Sequence, residues 1–133
     1  MSYATILAGL HTRLATVAGL NAVLDYVPTS VQDPPIIYSL LQRVTIAYAA
    51  QVRTATYRIL HRVVIRWQDN EQAELEASPF VDAIPAAVHA DPHLGGALTS
   101  GYAEISECES GFAEIGEATY RVLDFYSTVV EKS

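Results

Sequence analysis

The chain has one cysteine, Cys108, in 133 residues. This excludes an intramolecular disulfide and any cysteine-based zinc cage. The thiol stands in Glu107-Cys108-Glu109, and flanking carboxylates oppose the thiolate that a nucleophile needs. No apolar run approaches the roughly 20 residues of a membrane-spanning helix. The opening Met-Ser-Tyr-Ala has no basic leader ahead of an apolar run. The expectation is a soluble protein that stays where it is made, with no membrane partner. Three catalytic or nucleotide-binding motifs are also missing: the Gly-x-Ser-x-Gly elbow, the glycine-rich phosphate loop ending in Lys-Ser/Thr, and the dinucleotide fingerprint. Neither an internal repeat nor a low-complexity segment is present.

Positive charge is absent from a long span. Residues 67–120 contain no Lys or Arg but hold eleven acids, among them Glu71, Glu74, Glu76, Glu104, Glu107, Glu109, Glu114 and Glu117. Residues 1–66 hold six arginines (13, 43, 53, 58, 62 and 66) against Asp25 and Asp33. A net charge of −7 argues against tight binding to a phosphate backbone. Two readings of the asymmetry stay open. Opposite faces of the domain dock copies head to tail, or the charges mix on one subunit's surface.

What is present is a chain of single-domain length, residues 1–133, half of it hydrophobic. That suffices for a core without disulfides. The most informative stretch runs from Thr54 to Ala90. Tyr57, Ile59, Val63, Ile65 and Trp67 alternate with Arg58, Arg62 and Arg66. This predicts a strand with one apolar face and one cationic face. His61 falls on the apolar face and is expected to be a core histidine with satisfied ring nitrogens. Asp69 or Asn70 then caps a helix whose broad apolar stripe is Ala73, Leu75, Ala77, Phe80, Val81, Ile84 and Val88. Pro79 and Pro85 predict a kink, or two short helices meeting near Ser78.

Residues 2–18 read as an amphipathic helix, with Tyr3, Ile6, Leu7, Leu10, Leu14 and Val17 on one face. Residues 20–35 form a connector with a short strand near Val23–Val27. A strand opens at Ile36. If its alternation continues through Val44, Ile46 and Tyr48, residues 36–68 make one long hairpin. Its tip at Ala49-Ala50-Gln51 lacks the Gly, Asn or Asp that tight turns favour. The part from 42 to 53 is expected to form a projecting arm ordered by a neighbour. Its candidate subunit or tube contacts are Arg43, Thr45, Ile46, Tyr48, Gln51 and Arg53. The other reading of this segment is an ordinary surface loop. Two further strands are expected near Gly101–Glu109 and Thr119–Lys132, with turn signals at Ser110-Gly111 and Gly116-Glu117. The fold class is therefore α+β: a mostly antiparallel sheet of four to five strands, with the N-terminal and central helices on one face.

Residues that suggest chemistry are few. His89 and His93 bracket a helix end at Asp91-Pro92, so they do not share a helical face and read as a surface turn. The paired carboxylates near Glu107 and Glu114 read as polar surface. The arginine stripe lacks a basic recognition helix and is opposed by the acids. No catalytic residue, cofactor or metal ligand is assigned.

The layout resembles the tail terminator (tail completion) proteins of long-tailed phages. The likeness is carried by several features in order. They are the N-terminal amphipathic helix, Pro34-Pro35-Ile36-Ile37-Tyr38 opening a strand, and Val64-Ile65-Arg66-Trp67 closing one. Then come Ala73-Glu74, Phe80-Val81-Asp82-Ala83-Ile84, Asp91-Pro92-His93-Leu94-Gly95-Gly96 and Tyr120-Arg121-Val122-Leu123. The resemblance implies a homohexameric ring that caps the tail tube and meets the head-completion, or stopper, connector. It implies location in the virion neck and DNA passing through the lumen as cargo. Glu104, Glu107, Glu109, Glu114 and Glu117 are candidate lumen-facing acids. The alternatives are another head–tail connector or minor tail component and, in a different class, a small ligand-binding domain or enzyme. A deep pocket with convergent polar groups would favour the latter.

Overall fold

In the computed structural model, residues 2–98 and 100–132 are described. Helix α1 covers Tyr3–Leu14, and the Ser2 side chain accepts from the Thr5 N–H at 3.2 Å. That bond satisfies one of the free donors of the first turn. Ile6, Leu10 and Leu14 are fully buried, as the three-and-four spacing requires. The helix is shorter than expected, because residues 15–19 leave it in turns that end at Gly19, with φ +95°.

Five strands follow: β1 (Ala22–Leu24), β2 (Ile36–Ala49), β3 (Val52–Arg66), β4 (Gly101–Ile115) and β5 (Ala118–Lys132). Helix α2 (Asn70–His89) separates β3 from β4. The sheet order is β1-β2-β3-β5-β4. Only the short β1–β2 pair is parallel. The fold is α+β, with both helices on one side of the sheet. Two hairpins, β2/β3 and β4/β5, meet along β3 and β5, and α2 is the crossover between them.

The β2/β3 hairpin closes at Ala50 and Gln51, with φ +51° and +67°. Both central residues of the two-residue turn are left-handed, a conformation usually given to Gly or Asn. Two sequence expectations are corrected. Helix α2 is one helix through Pro79 and Pro85 rather than two. The carbonyls that these prolines leave unpaired belong to Leu75 and Val81. Both residues are exposed, so they lie on the side of the helix that faces solvent, where a freed carbonyl costs least. Strand β4 also does not turn at Ser110-Gly111 but pairs with β5 through Ile115↔Ala118. The turn lies at Gly116, where φ is +66° and an added Cβ would stand 3.1 Å from Thr29 O.

The main core fills the space between helices and sheet. Ile6, Leu10, Ile37, Ile59, Val63, Phe80, Ile84 and Phe125 meet there. A smaller cluster of Ile36, Tyr38, Val64, Ile115 and Val122 lies on the opposite face, with Val31 of the connector packed against it. Among the described residues, no helix is long and apolar enough to cross a membrane.

Candidate assembly surface

Alternation along the strands sorts the side chains. Ile59, His61, Val63 and Ile65 of β3 point to the helices, and Arg58, Leu60, Arg62 and Val64 point away. His61 is fully buried. Its Nδ1 lies 2.6 Å from Ser39 Oγ and its Nε2 2.8 Å from Ser127 Oγ. Both ring nitrogens are thus satisfied, as expected from its place in the strand. Ser39 Oγ is also 3.0 Å from His11 Nε2, and His11 Nδ1 is 2.6 Å from the Asp25 carboxylate. Burial, then the nearby His11, lowers the His61 pKa to about 3, so the ring is neutral at pH 7. Asp25, His11 and Ser39 are the residue types of a hydrolytic triad. Ser39 Oγ, however, is buried and shared between two imidazoles, where no substrate reaches it. The chain of bonds ties α1 and the connector to β2, β3 and β5. These residues lie far apart in sequence, so only the strand register reveals the relay.

The segment 42–53 is the outer part of the hairpin. Every β2 residue from Gln42 to Ala49 is exposed. The pairs Val44↔Tyr57, Ile46↔Ala55 and Tyr48↔Arg53 place Val44, Ile46 and Tyr48 on the helix side of the sheet. They are 39%, 51% and 73% exposed. Arg43 and Thr45 point to the other face, opposite Arg58 and Thr56. Gln51 is at the tip, and Arg53 is partly covered. The β3 side of this segment is paired with β5 from Thr54 onward. At the hairpin's root, β1 covers only Ile36–Tyr38. Among the described residues, no strand lies beyond residues 40–49.

The candidate acids do not form one group. Glu104, Glu107 and Glu109 share the face away from the helices with Asp124. Glu114 is on the helix side, and Glu117 is in the turn. Arginines from the basic half interleave with these acids. Arg58 Nη2 is 2.6 Å from Glu107 and its guanidinium lies 4.4 Å above the Tyr126 ring. Arg62 makes a two-pronged pair with Asp124 at 2.7 and 2.9 Å. Hydrogen bonding to Asp124 raises the Arg62 pKa further, so the guanidinium stays charged. On the helix side, Arg121 pairs with Glu74 at 2.8 Å. The opposite charges of the two halves therefore meet within one subunit at Arg58–Glu107, while Arg62 and Glu74 each pair with a residue of β5.

The remaining candidates have structural partners. The Ile105 N–H donates to His89 Nε2 at 3.0 Å, and His93 Nδ1 lies 2.9 Å from Gly101 O. These contacts fasten the end of α2 to β4. Among the described residues, no cluster of three or more His, Cys, Asp or Glu side chains is arranged to hold a metal ion. Cys108 is on β4, and its pKa is raised by partial burial first, then by Asp124 and Glu109. The carboxylate effect was legible in the sequence; the larger burial effect was not. Sequence reasoning also missed Phe112 as a surface residue. It packs edge-on against Trp67 at 5.0 Å and remains exposed. Reading a turn at Ser110-Gly111 had hidden its strand position.

No protein-family model matches the chain, and no curated protein does. Among solved structures, the chain is similar to a chain of one described as "Virion of native gene transfer agent (GTA) particle". The two share 18% identity with a TM-score of 0.56, and the match covers 98% of this chain and 99% of that one. At this identity the likeness shows a shared fold over the full length.

Proposed function

We propose that the chain is a structural subunit of a phage-like tail. It forms a homohexameric ring that caps the tail tube, ends its polymerisation and joins the tail to the head connector. Its partners are other copies of itself, the tail tube protein and the head-completion protein. DNA passes through the lumen as cargo. The observation that carries the reading is the open outer half of the hairpin. Val44, Ile46 and Tyr48 are exposed there in a row along a strand whose outer edge has no partner among the described residues. Such an edge recruits another chain unless it is guarded. The full-length fold likeness to a chain of a virion particle supports the same reading.

The face carrying Glu104, Glu107, Glu109 and Asp124 is the candidate lumen lining. A conduit for DNA needs a surface that does not retain phosphate. The test is electron microscopy and solution mass of the protein, alone and with tail tubes. Rings on tube ends support the proposal. A stable lone subunit indifferent to tubes overturns it. Replacing Glu104 and Glu109 with Lys should slow DNA ejection and leave rings intact.

A further inference from the structure

We propose that the free β2 edge of one copy pairs with the free β4 edge of the next, joining the sheets edge to edge around the ring. The inference rests on the ring reading and adds the joint. Four observations carry it. First, direction: β2/β3, β3/β5 and β5/β4 are all antiparallel. Strands β2 and β4 therefore run in opposite directions. Copies set side by side by rotation bring them together antiparallel, the favoured hairpin-like pairing.

Second, the free stretches match in length. Pairing with β1 occupies β2 only through Tyr38. On β4, the Ala103 and Ile105 N–H groups already donate to Pro92 O and His89 Nε2. Residues 40–49 and 106–115 remain, about ten residues each. Neither stretch contains Pro or Lys, the usual guards of an exposed edge.

Third, the backbone phases agree. Ala49↔Val52 closes the two-residue turn, so in the alternating ladder Tyr48, Ile46 and Val44 direct their N–H and C=O groups outward. On β4, Ala103 and Ile105 point outward. The irregularity between Ile105 and Glu107 passes that phase to Cys108, Ser110 and Phe112. All six side chains lie on the helix side of the sheet. Pairing Val44 with Phe112, Ile46 with Ser110 and Tyr48 with Cys108 covers the exposed apolar side chains of both edges.

Fourth, the charges outside the internal pairs are complementary: Arg43, Arg53 and Arg66 on the hairpin against Glu104, Glu109 and Glu114 on β4.

The joint also sets a stagger. Within one copy, Leu40 stands level with Glu107 through Leu60 and Tyr126. The pairing above shifts the next copy by about eight residues, roughly 26 Å, across a four-strand repeat about 19 Å wide, so the strands lean steeply from the ring axis.

The test uses the native thiol. Tyr48→Cys, with Cys108 retained, is treated with a short bis-maleimide. Covalent multiples of the 14.5 kDa subunit are expected, and Tyr48→Cys with Cys108→Ser should lose them. Ile46→Pro removes one outward N–H and should keep the folded subunit, by circular dichroism, while losing rings. Rings that form without the 48–108 cross-link overturn this joint and leave the ring reading standing. Rings that persist in Ile46→Pro do the same. Absence of any assembly, with or without tubes, overturns both.

Discussion

The root and the outer half of the β2/β3 hairpin are built from similar residues and end in opposite environments. At the root, Ile36, Ile37, Tyr38 and Ser39 are buried on both faces of the sheet. A few residues along the same strand, Val44, Ile46 and Tyr48 stand in solvent. Both stretches alternate, and both are rich in strand formers. The difference is what lies over them. The helices and the connector cover the root, and among the described residues nothing covers the β2 side of the outer half, although Ala55 and Tyr57 beside it on β3 are buried. Apolar alternation therefore reports that a face will be covered. Whether the cover comes from the same chain or another is decided elsewhere.

Substitutions at the two ends separate these cases. Ile37→Ala should lower unfolding free energy by about 2–5 kcal/mol, the usual cost of emptying a buried isoleucine site. Ile46→Ala should stay within about 0.5 kcal/mol of the parent, as at an uncovered surface site. Urea titration of both variants checks this, and equal losses would erase the distinction.

Acid is the second probe, and it acts at the root through His61. The folded pKa of about 3 lies below the ordinary 6.5, so between these values the unfolded chain binds the extra proton. Stability from this group is complete above pH 6.5 and declines as pH falls, by up to about 1.4 kcal/mol per pH unit until about pH 3. Denaturation followed from pH 7 to pH 4 should show that slope, and His61→Gln should flatten it.

The ion pairs repeat the contrast at smaller scale. Arg62–Asp124, level with the root, is mostly covered, whereas Arg58–Glu107, level with Arg43, is about 40% exposed on both partners. Asp124→Asn should cost about 1.5–3 kcal/mol, and Glu107→Gln about 0–1 kcal/mol, vanishing in high salt. At the tip, the pair Ala50→Asn and Gln51→Gly should stabilise the subunit by about 1 kcal/mol, because both positions have positive φ. A Tm that does not rise would show that the turn is not held in this form in solution.

Much of the architecture could be read before the structure. The alternation in 54–66 announced β3, and the spacing in 2–18 announced α1. His61 was legible as a core residue because its neighbours at two-residue spacing are Ile59 and Val63. The run past Ser110 was not legible. A Ser-Gly pair marks a turn only when no partner strand continues the ladder, and here β5 continues it to Ala118. Between one kinked helix and two short ones the sequence could not choose for α2, for a related reason. Proline excludes a backbone bond, but whether the freed carbonyl meets water or protein depends on which side of the helix it faces.

By itself the sequence determined the local periods: which residues alternate, where helices begin, and that positive charge is confined to 1–66 and the closing strand. Those properties follow from backbone geometry and side-chain type, which act over a few residues. Only the tertiary structure decided which edges stay open, that Arg58 reaches Glu107, and that Glu114 leaves the face held by Glu104 and Glu109. These depend on strand order, register and bulges, and a bulge of one residue moves every later side chain to the other face.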